Sequence, residues 1–460
     1  MDSKEIIERI ESKYPVNKVF AKYRGHEYQI YPWLKGRLFH FLMTGKEVLQ
    51  GKDASVLSLQ LKTLFYGWTN FFRKYNVWIF SKSFNRLEIE GEYHDKILEY
   101  IGELFGDQAW FIEFHLFNSR RHSKLKSKYI SSKAILLLVE EVYSRFFLRK
   151  LTFKNLDILS EIQQELGGSV DVTQICKKYI AQHRVMSLAL KILPNPTNVF
   201  LTVGYTNYGY IRAFKERGIK VFEFQHGMIT KYHQGYYFKS VFDSCQFPDV
   251  LAVTGIRNKE VFDEDNLVAI KSVVPVGSYV LSHYYKLKDA SVGKKIKVIA
   301  VSLQDGENCE ELVPFIIKCA EILSGIQFLL KRRSVTEEYY TSKYTFPSNV
   351  VFEEKANVYE LMAKGDAHCT IYSTAAVESL SLGTTNIIYN YKNFANLHLQ
   401  QIKENKYSHF VESVDSFCEV VEGLFVPEPI DVVKSNQQNV QANYEESIRV
   451  LIKSELNEFS

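Results

Sequence analysis

Between residues 198 and 224 the chain reads strand, helix, strand with almost no connecting residues. Asn198-Val199-Phe200-Leu201-Thr202-Val203 is a strand, Tyr208 to Arg217 a helix closed by Gly218, and Ile219-Lys220-Val221-Phe222-Glu223-Phe224 the next strand. Two strands joined through a helix cannot pair as a hairpin. They lie parallel, and the crossover is right-handed in nearly all such units. Parallel strands are covered by helices on both faces, so this stretch commits the region to an α/β sheet. The pattern runs on through Gln225-His226-Gly227, the strand Asp249 to Val253, a helix around 256–262 and Val273 to Ser278.

A lysine-rich linker, Lys286 to Lys297, leads into a second α/β set. Its strands fall at 296–301, 328–330 and 349–352, its helices at 310–323 and 358–363. Residues 366–390 then carry the densest signal. An apolar run ends at Ile371-Tyr372, Ser373-Thr374 follows, and Ala375 to Leu380 reads as helix, with Gly383 as its C-cap and Asn386 to Tyr389 as the next strand. The first N–H groups of a helix lack intrahelical partners and sit at the positive end of its dipole, so they attract an anion. Ser373 and Thr374 add two hydroxyl donors. Glu378, about one turn on, can accept from a sugar hydroxyl. The same pair also fits an ordinary N-cap.

Residues 1–190 read as mostly helical. Ile6, Ile7, Ile10 and Tyr14 share a helix face, Pro32 opens a second helix, 55–66 is apolar, and long helices cover 133–147 and 157–192. Only Asn76 to Ser81 looks like a buried strand. The expected division is an N-terminal domain over 1–285 (helical 1–190, Rossmann-like core 197–285), a second Rossmann-like domain over 286–430, and a C-terminal helix over 431–460.

A chain of 460 residues exceeds one compact core. A net charge of +4 argues against binding nucleic acid over the whole surface. The six cysteines show no CxxC or Cys/His spacing, which fits a reducing compartment. A polar N-terminus and the absence of any span-length apolar run lead to the expectation of a cytoplasmic protein, at most peripheral at the inner membrane face. Arg120, Arg121, Lys124, Lys126 and Lys128 lie close together. They read as a solvated face or as a patch for an anionic acceptor or acidic membrane.

Doubly wound sheets bind ligands beyond the carboxyl ends of their strands. In the second half those positions hold Ser302 and Gln304, Lys331 with Arg332 and Arg333, Glu353 and Glu354, and Ser373-Thr374. Lys331 and Arg332 would offset phosphate charge. In the first half the sharpest signal is Glu223-Phe224-Gln225-His226-Gly227. A histidine at a strand end suits general-base work near neutral pH, and Gly227 would allow close backbone approach or a positive φ. Gln225, Gly227 and His233 would line the cleft wall, which His233 and Tyr236 would complete. Asp263-Glu264-Asp265 reads as a solvated turn, and no metal is expected there.

Several of these segments resemble the GT-B glycosyltransferases of bacterial capsule and lipopolysaccharide biosynthesis. They are FEFQHGMITKYHQGY, PDVLAVTG followed by VPVGS at 274–278, and SLQ, LLKRR, NVVFEE and IYSTAAVESLSLG in succession. The likeness covers roughly 197–390; RLEIEGEYHDKILEYI resembles a segment found upstream in such proteins. It implies a largely helical N-terminal region and two Rossmann-like domains facing a cleft. It further implies sugar transfer from a nucleotide-sugar, CMP-activated acids such as CMP-Kdo among them, to a growing surface polysaccharide or lipid-linked glycan, without metal or other cofactor. His226 would take the acceptor proton or hold the donor's anionic group, and Glu223 would be the nucleophile of a retaining enzyme. Ser302, Gln304, Lys331, Arg332, Ser373 and Thr374 would bind the donor, with Glu378 on ribose and Glu353 or Glu354 near the base. Relatives that use CMP-activated acids often carry His-Pro where this chain has Arg332-Arg333. A nucleotide-sugar 2-epimerase of the same architecture and a non-catalytic glycan-binding protein are the alternatives.

Overall fold

The computed structural model describes residues 3–44, 62–114, 124–227, 229, 233–263, 270–288, 292–304, 310–333 and 336–456. The chain forms two compact units. One comprises Met1–Val253 with Asn258–Val274, the other Thr254–Arg257 with Pro275–Ser460.

The first unit opens with β1 (Phe20–Tyr23) and β2 (His26–Gln29), a hairpin whose two loop residues, Arg24 and Gly25, both have positive φ, as a tight right-twisted hairpin requires. Its main sheet has seven strands. β3 (Val77–Lys82), β6 (Ala109–Phe114) and β7 (Ile130–Ser132) precede β9 (Asn198–Thr202), β10 (Lys220–Phe224), β11 (Val250–Val253) and β12 (Ser272–Pro275). The order across the sheet is β12-β11-β10-β9-β3-β6-β7. The pairings β7–β6–β3–β9–β10–β11 are all parallel. The chain therefore steps outward from β3 to β7, then returns to build the other half from β9. The hairpin β4 (Arg86–Ile89) and β5 (Glu92–Asp95) lies outside this sheet, and β8 (Thr152–Lys154) pairs with β1.

Helix does outweigh strand in the first 190 residues, but that stretch also supplies three of the seven strands. The Rossmann-like core thus begins near residue 77, not 197. β6 explains why this was hard to read. Ala109 to Ile112 are all buried, so the strand is a continuous apolar run without alternation, which periodicity cannot separate from a helix segment. Residues 45–61, which include most of the apolar 55–66 stretch, lie outside the described residues.

The second unit holds one six-stranded sheet of β13 (Val298–Ser302), β14 (Gln327–Lys331), β15 (Val350–Phe352), β16 (Ala367–Thr370), β17 (Thr385–Tyr389) and β18 (Ser408–Val411). The order is β15-β14-β13-β16-β17-β18, parallel throughout. This is the doubly wound order, with its reversal between β13 and β16. Ile299, Val301, Phe328, Leu330 and Ile387 pack with Phe315 and Ile316 of the helix Leu312–Ile322. The main part of the unit begins at Pro275, eleven residues before the expected start at 286. The tail is integral to it: Val432 of the helix Pro429–Ser435 packs with Ala376 and Leu380, and Ile448, Leu451 and Ile452 of the helix Tyr444–Leu456 are buried. Two parallel α/β sheets of Rossmann-like order are the architecture that the GT-B resemblance implies.

Candidate functional site

In the second unit β13 and β16 are adjacent, yet the chain leaves them for opposite halves of the sheet, which opens a crevice at their carboxyl ends. Ser302 ends β13 and Thr370 ends β16. Gln304 spans the gap, its Oε1 accepting the Tyr372 N–H at 3.3 Å. Ser373 Oγ accepts the Ala375 N–H at 3.2 Å and keeps its own proton to donate, while Thr374 is exposed. Glu378 is half-buried. Burial first, then the Glu378 charge and a hydrogen bond to Glu378, keep the Tyr359 phenol protonated well above its usual range.

One strand further out, the expected phosphate ligands hold one another. Lys331 Nζ donates to the carbonyls of Glu353 and Glu354 at 2.9 and 3.1 Å. Arg332 forks onto the Glu354 carboxylate, Nε to Oε1 at 2.6 Å and Nη2 to Oε2 at 2.5 Å. Glu353 accepts the N–H groups of Lys355 and Ala356, which holds its carboxyl below the usual range, Ala356 contributing most. The four residues are brought to one edge of one sheet, but a phosphate there must compete with Glu354 for Arg332.

Ser302 has another job than the one expected. His368, fully buried in β16, places Nε2 2.9 Å from Ser302 Oγ and Nδ1 2.9 Å from Asn386 Oδ1. Asn386 donates its NH2 to the Ala376 carbonyl at 2.5 Å, so its Oδ1 faces the imidazole and also accepts from Ser379 Oγ at 2.6 Å. Nδ1 must therefore carry the proton, and Nε2 accepts the Ser302 hydroxyl. Burial pushes His368 down to about 4, so the ring stays neutral. Ser302, only 6% exposed, thus spends its donor inward and cannot donate to a phosphate. His368 and Asn386 were missed in the sequence. The available signal was a histidine inside the strand run Ala-His-Cys-Thr, since a buried polar group demands a partner.

In the first unit the cluster around His226 hangs on a turn after β9. Val203 takes a left-handed φ of 60°, costly for a β-branched residue. The next N–H, of Gly204, donates to Glu223 Oε1 at 2.6 Å, and the Tyr236 hydroxyl donates to the same oxygen. Tyr205 follows; its hydroxyl lies 3.3 Å from His226 Nε2. The rings of Tyr205 and His233 lie 5.4 Å apart and those of His233 and Tyr236 4.7 Å, closing an aromatic box. His226 is pushed down to about 4, by burial first and then by the charges of Lys82 and Lys96; His233 is likewise held near 4, again mainly by burial. Both imidazoles are neutral near pH 7, the form that accepts a proton, but His226 is a weaker base than a free histidine.

Three expectations change here. Glu223 is 0% exposed, shut behind Gly204 and Tyr236, so it cannot attack a substrate; it supports the turn that positions Tyr205. Gly227 has no positive φ, so its backbone conformation does not call for a glycine, and a Cβ there would meet no protein atom within 4 Å. Gln225 turns its amide to Gly227 O at 2.8 Å and Asn258 Oδ1 at 3.1 Å, holding the loop instead of lining a wall.

Burial raises Glu223 from 4.5 to about 7, against the pull of Tyr236 and Gly204. Below about pH 4.5 the group is protonated in both folded and unfolded chains. As pH climbs from there toward 7 only the unfolded chain releases the proton, so stability falls, by about 3 kcal/mol in all, and levels off above. Glu223→Gln should flatten that part of the stability profile in denaturant titrations run from pH 4.5 to 8. An unchanged slope would show that Glu223 ionises normally.

Of the basic stretch, Arg120 and Arg121 lie outside the described residues. Lys126 pairs with Glu92 at 3.3 Å and Lys128 with Asp107 at 2.6 Å, while Lys124 is exposed. Two of the three described lysines of the stretch are thus paired at the surface. Glu264 and Asp265 also lie outside the described residues. No helix among the described residues is long and apolar enough to cross a membrane.

No family model and no curated protein matches this chain. Solved structures do. The calicheamicin glycosyltransferase CalG4 aligns at 12% identity over 84% of this chain and 100% of its own, with a TM-score of 0.49. The UDP-GlcNAc 2-epimerase of Methanocaldococcus jannaschii aligns at 12% identity over 82% and 99%, also at 0.49. Anabaena HepE, solved with UDP and glucose, aligns at 10% identity over 83% and 100%, at 0.44.

Proposed function

We propose that this protein is a GT-B glycosyltransferase that moves a sugar from a nucleotide donor to a glycan acceptor of surface-polysaccharide type. The observation that supports it best is the crevice between β13 and β16. There the doubly wound order reverses, and Gln304, Tyr372, Ser373 and Thr374 meet within the reach of one diphosphate. Lys331 and Arg332, at the next strand end, are the cations to offset leaving-group charge, a role that makes a metal unnecessary. Glu378 would take a ribose hydroxyl, and Glu353 or Glu354 would lie near the base. His226 of the first unit is the proposed base, held by Tyr205.

The donor can be found by thermal shift with CMP, UDP, GDP and CDP. At 100 times its Kd the right nucleotide adds about 2.7 kcal/mol, and Lys331→Ala together with Ser373→Ala should abolish the gain. If no nucleotide stabilises the protein, the donor site is misassigned. Incubation with the matching nucleotide-sugar, with and without glycan acceptor and with EDTA in a third arm, separates the classes. Acceptor-dependent nucleotide release that survives EDTA is the expected result. Release with an isomerised sugar and no acceptor would make the protein an epimerase.

A further inference from the structure

The first unit gathers cations that form no ion pair among the described residues. Lys82 ends β3. Lys133 follows β7, its N–H bonded to Glu113 O at the end of β6 at 2.9 Å. In the parallel register Lys82 stands opposite Phe114, and Phe80, two residues back on β3, shares the face of Lys82. The Lys133 ammonium arrives on that face, 5.7 Å from the Phe80 ring centre, 5.6 Å from that of Phe114 and 4.2 Å from that of Tyr210. Its one hydrogen-bond acceptor among the described residues is Asn207 Oδ1, at 3.5 Å.

Lys178 comes from the helix Val172–Ile192. Tyr179 and Gln182 of that helix donate to the carbonyls of Tyr205 and Thr206, at 3.1 and 3.3 Å, so the helix abuts the turn that carries Asn207. Lys178 and Gln182 are one turn apart on the same side. Arg37 is near enough to Lys178 for the two charges to repel, as Lys178 and Lys82 repel each other and Lys133. Among the described residues none of the four forms an ion pair. The carboxyls that reach them are Glu140 and Glu223; burial drives both toward the neutral form, and it lowers Lys82, Lys133 and Lys178 in the same way. Lys133 is only 6% exposed. Like charges withdrawn from water are costly, so the site without an anion sheds protons, and an anion sharing it would restore the ammonium form.

We infer that Lys82, Lys133 and Lys178 form an anion pocket at the carboxyl edge of the first sheet, and that its occupant is an oxyanion, phosphate or carboxylate, carried by the glycan acceptor. The charge of Lys82 is felt at His226, so the pocket adjoins the proposed base. The pocket stands on the lysines alone; the word acceptor rests on the function proposed above.

Inorganic phosphate and glucuronate are titrated separately, in low-salt buffer, against the full chain and its Lys82→Met, Lys133→Met and Lys178→Met variants, with nucleotide affinity measured alongside. At least one anion should bind the parent and weaken tenfold or more in each variant, while nucleotide affinity stays within twofold. Which anion binds more tightly tells a phosphorylated acceptor from a uronate. Lys133→Met should also melt higher than the parent in anion-free buffer near pH 7, because it removes a lysine whose charged form burial penalises; a structural strut would melt lower. Anion binding that is absent in the parent, or equal in all four proteins, overturns the pocket. Binding lost in the lysine variants of a protein that transfers no sugar would leave the pocket standing and remove the transferase reading.

Discussion

Replacing His226 with alanine should lower sugar transfer about a thousandfold, the middle of the range for removing a general base, while nucleotide affinity stays nearly unchanged. The ring is neutral near pH 7 and its Nε2 lies beside the Tyr205 hydroxyl, so the variant deletes the proposed proton acceptor and leaves the residues of the proposed donor crevice unchanged. Single-turnover rates at saturating nucleotide-sugar separate chemistry from binding. Tyr205→Phe should give a smaller loss, because it frees the ring without removing it. Transfer by His226→Ala within tenfold of the parent would mean that another group takes the proton.

A large loss of stability is expected from Gly204→Ala. A Cβ at this position would stand 2.1 Å from Glu223 Oε2 and 2.8 Å from its Cδ. The carboxyl cannot swing aside cheaply, since the Gly204 N–H and the Tyr236 hydroxyl both bind its other oxygen. Relief breaks those bonds in a site with no access to water. Overpacking and a lost buried hydrogen bond together cost about 3 kcal/mol or more. Near-ultraviolet melting should show a clear fall in the transition of the first unit, with the second unit's nucleotide response retained. Glu223→Ala in the same chain should recover part of the loss, a coupling a double-mutant cycle can read. A Gly204→Ala protein that melts with the parent would show that the Glu223 anchor is not rigid.

Much of the second unit was legible in the sequence. Its strands end where the polar clusters begin, and Lys331, Glu353, Gln304 and Ser373 do fall along one edge of one sheet. That follows from local facts, namely apolar runs of strand length, helices between them, and the rule that parallel strands share one direction. Roles were less legible than places. Ser302 reads as a donor until His368 and Asn386, brought over from two other strands, claim its proton. Glu223 reads as a reactive carboxylate until Gly204 and Tyr236 close over it.

The sequence by itself determined that this chain carries two parallel α/β sheets and which residues stand at the ends of many of their strands, because strand–helix–strand spacing leaves no other pairing. Only the tertiary structure decided that β6 and β7 complete the first sheet, since a strand buried on both faces carries no alternating pattern. It alone assembled Lys82, Lys133 and Lys178. They lie about fifty residues apart in a chain whose net charge is only +4, and no local rule links a strand end, a loop and a helix face. Their meeting is a product of packing, and so is the mutual repulsion it creates.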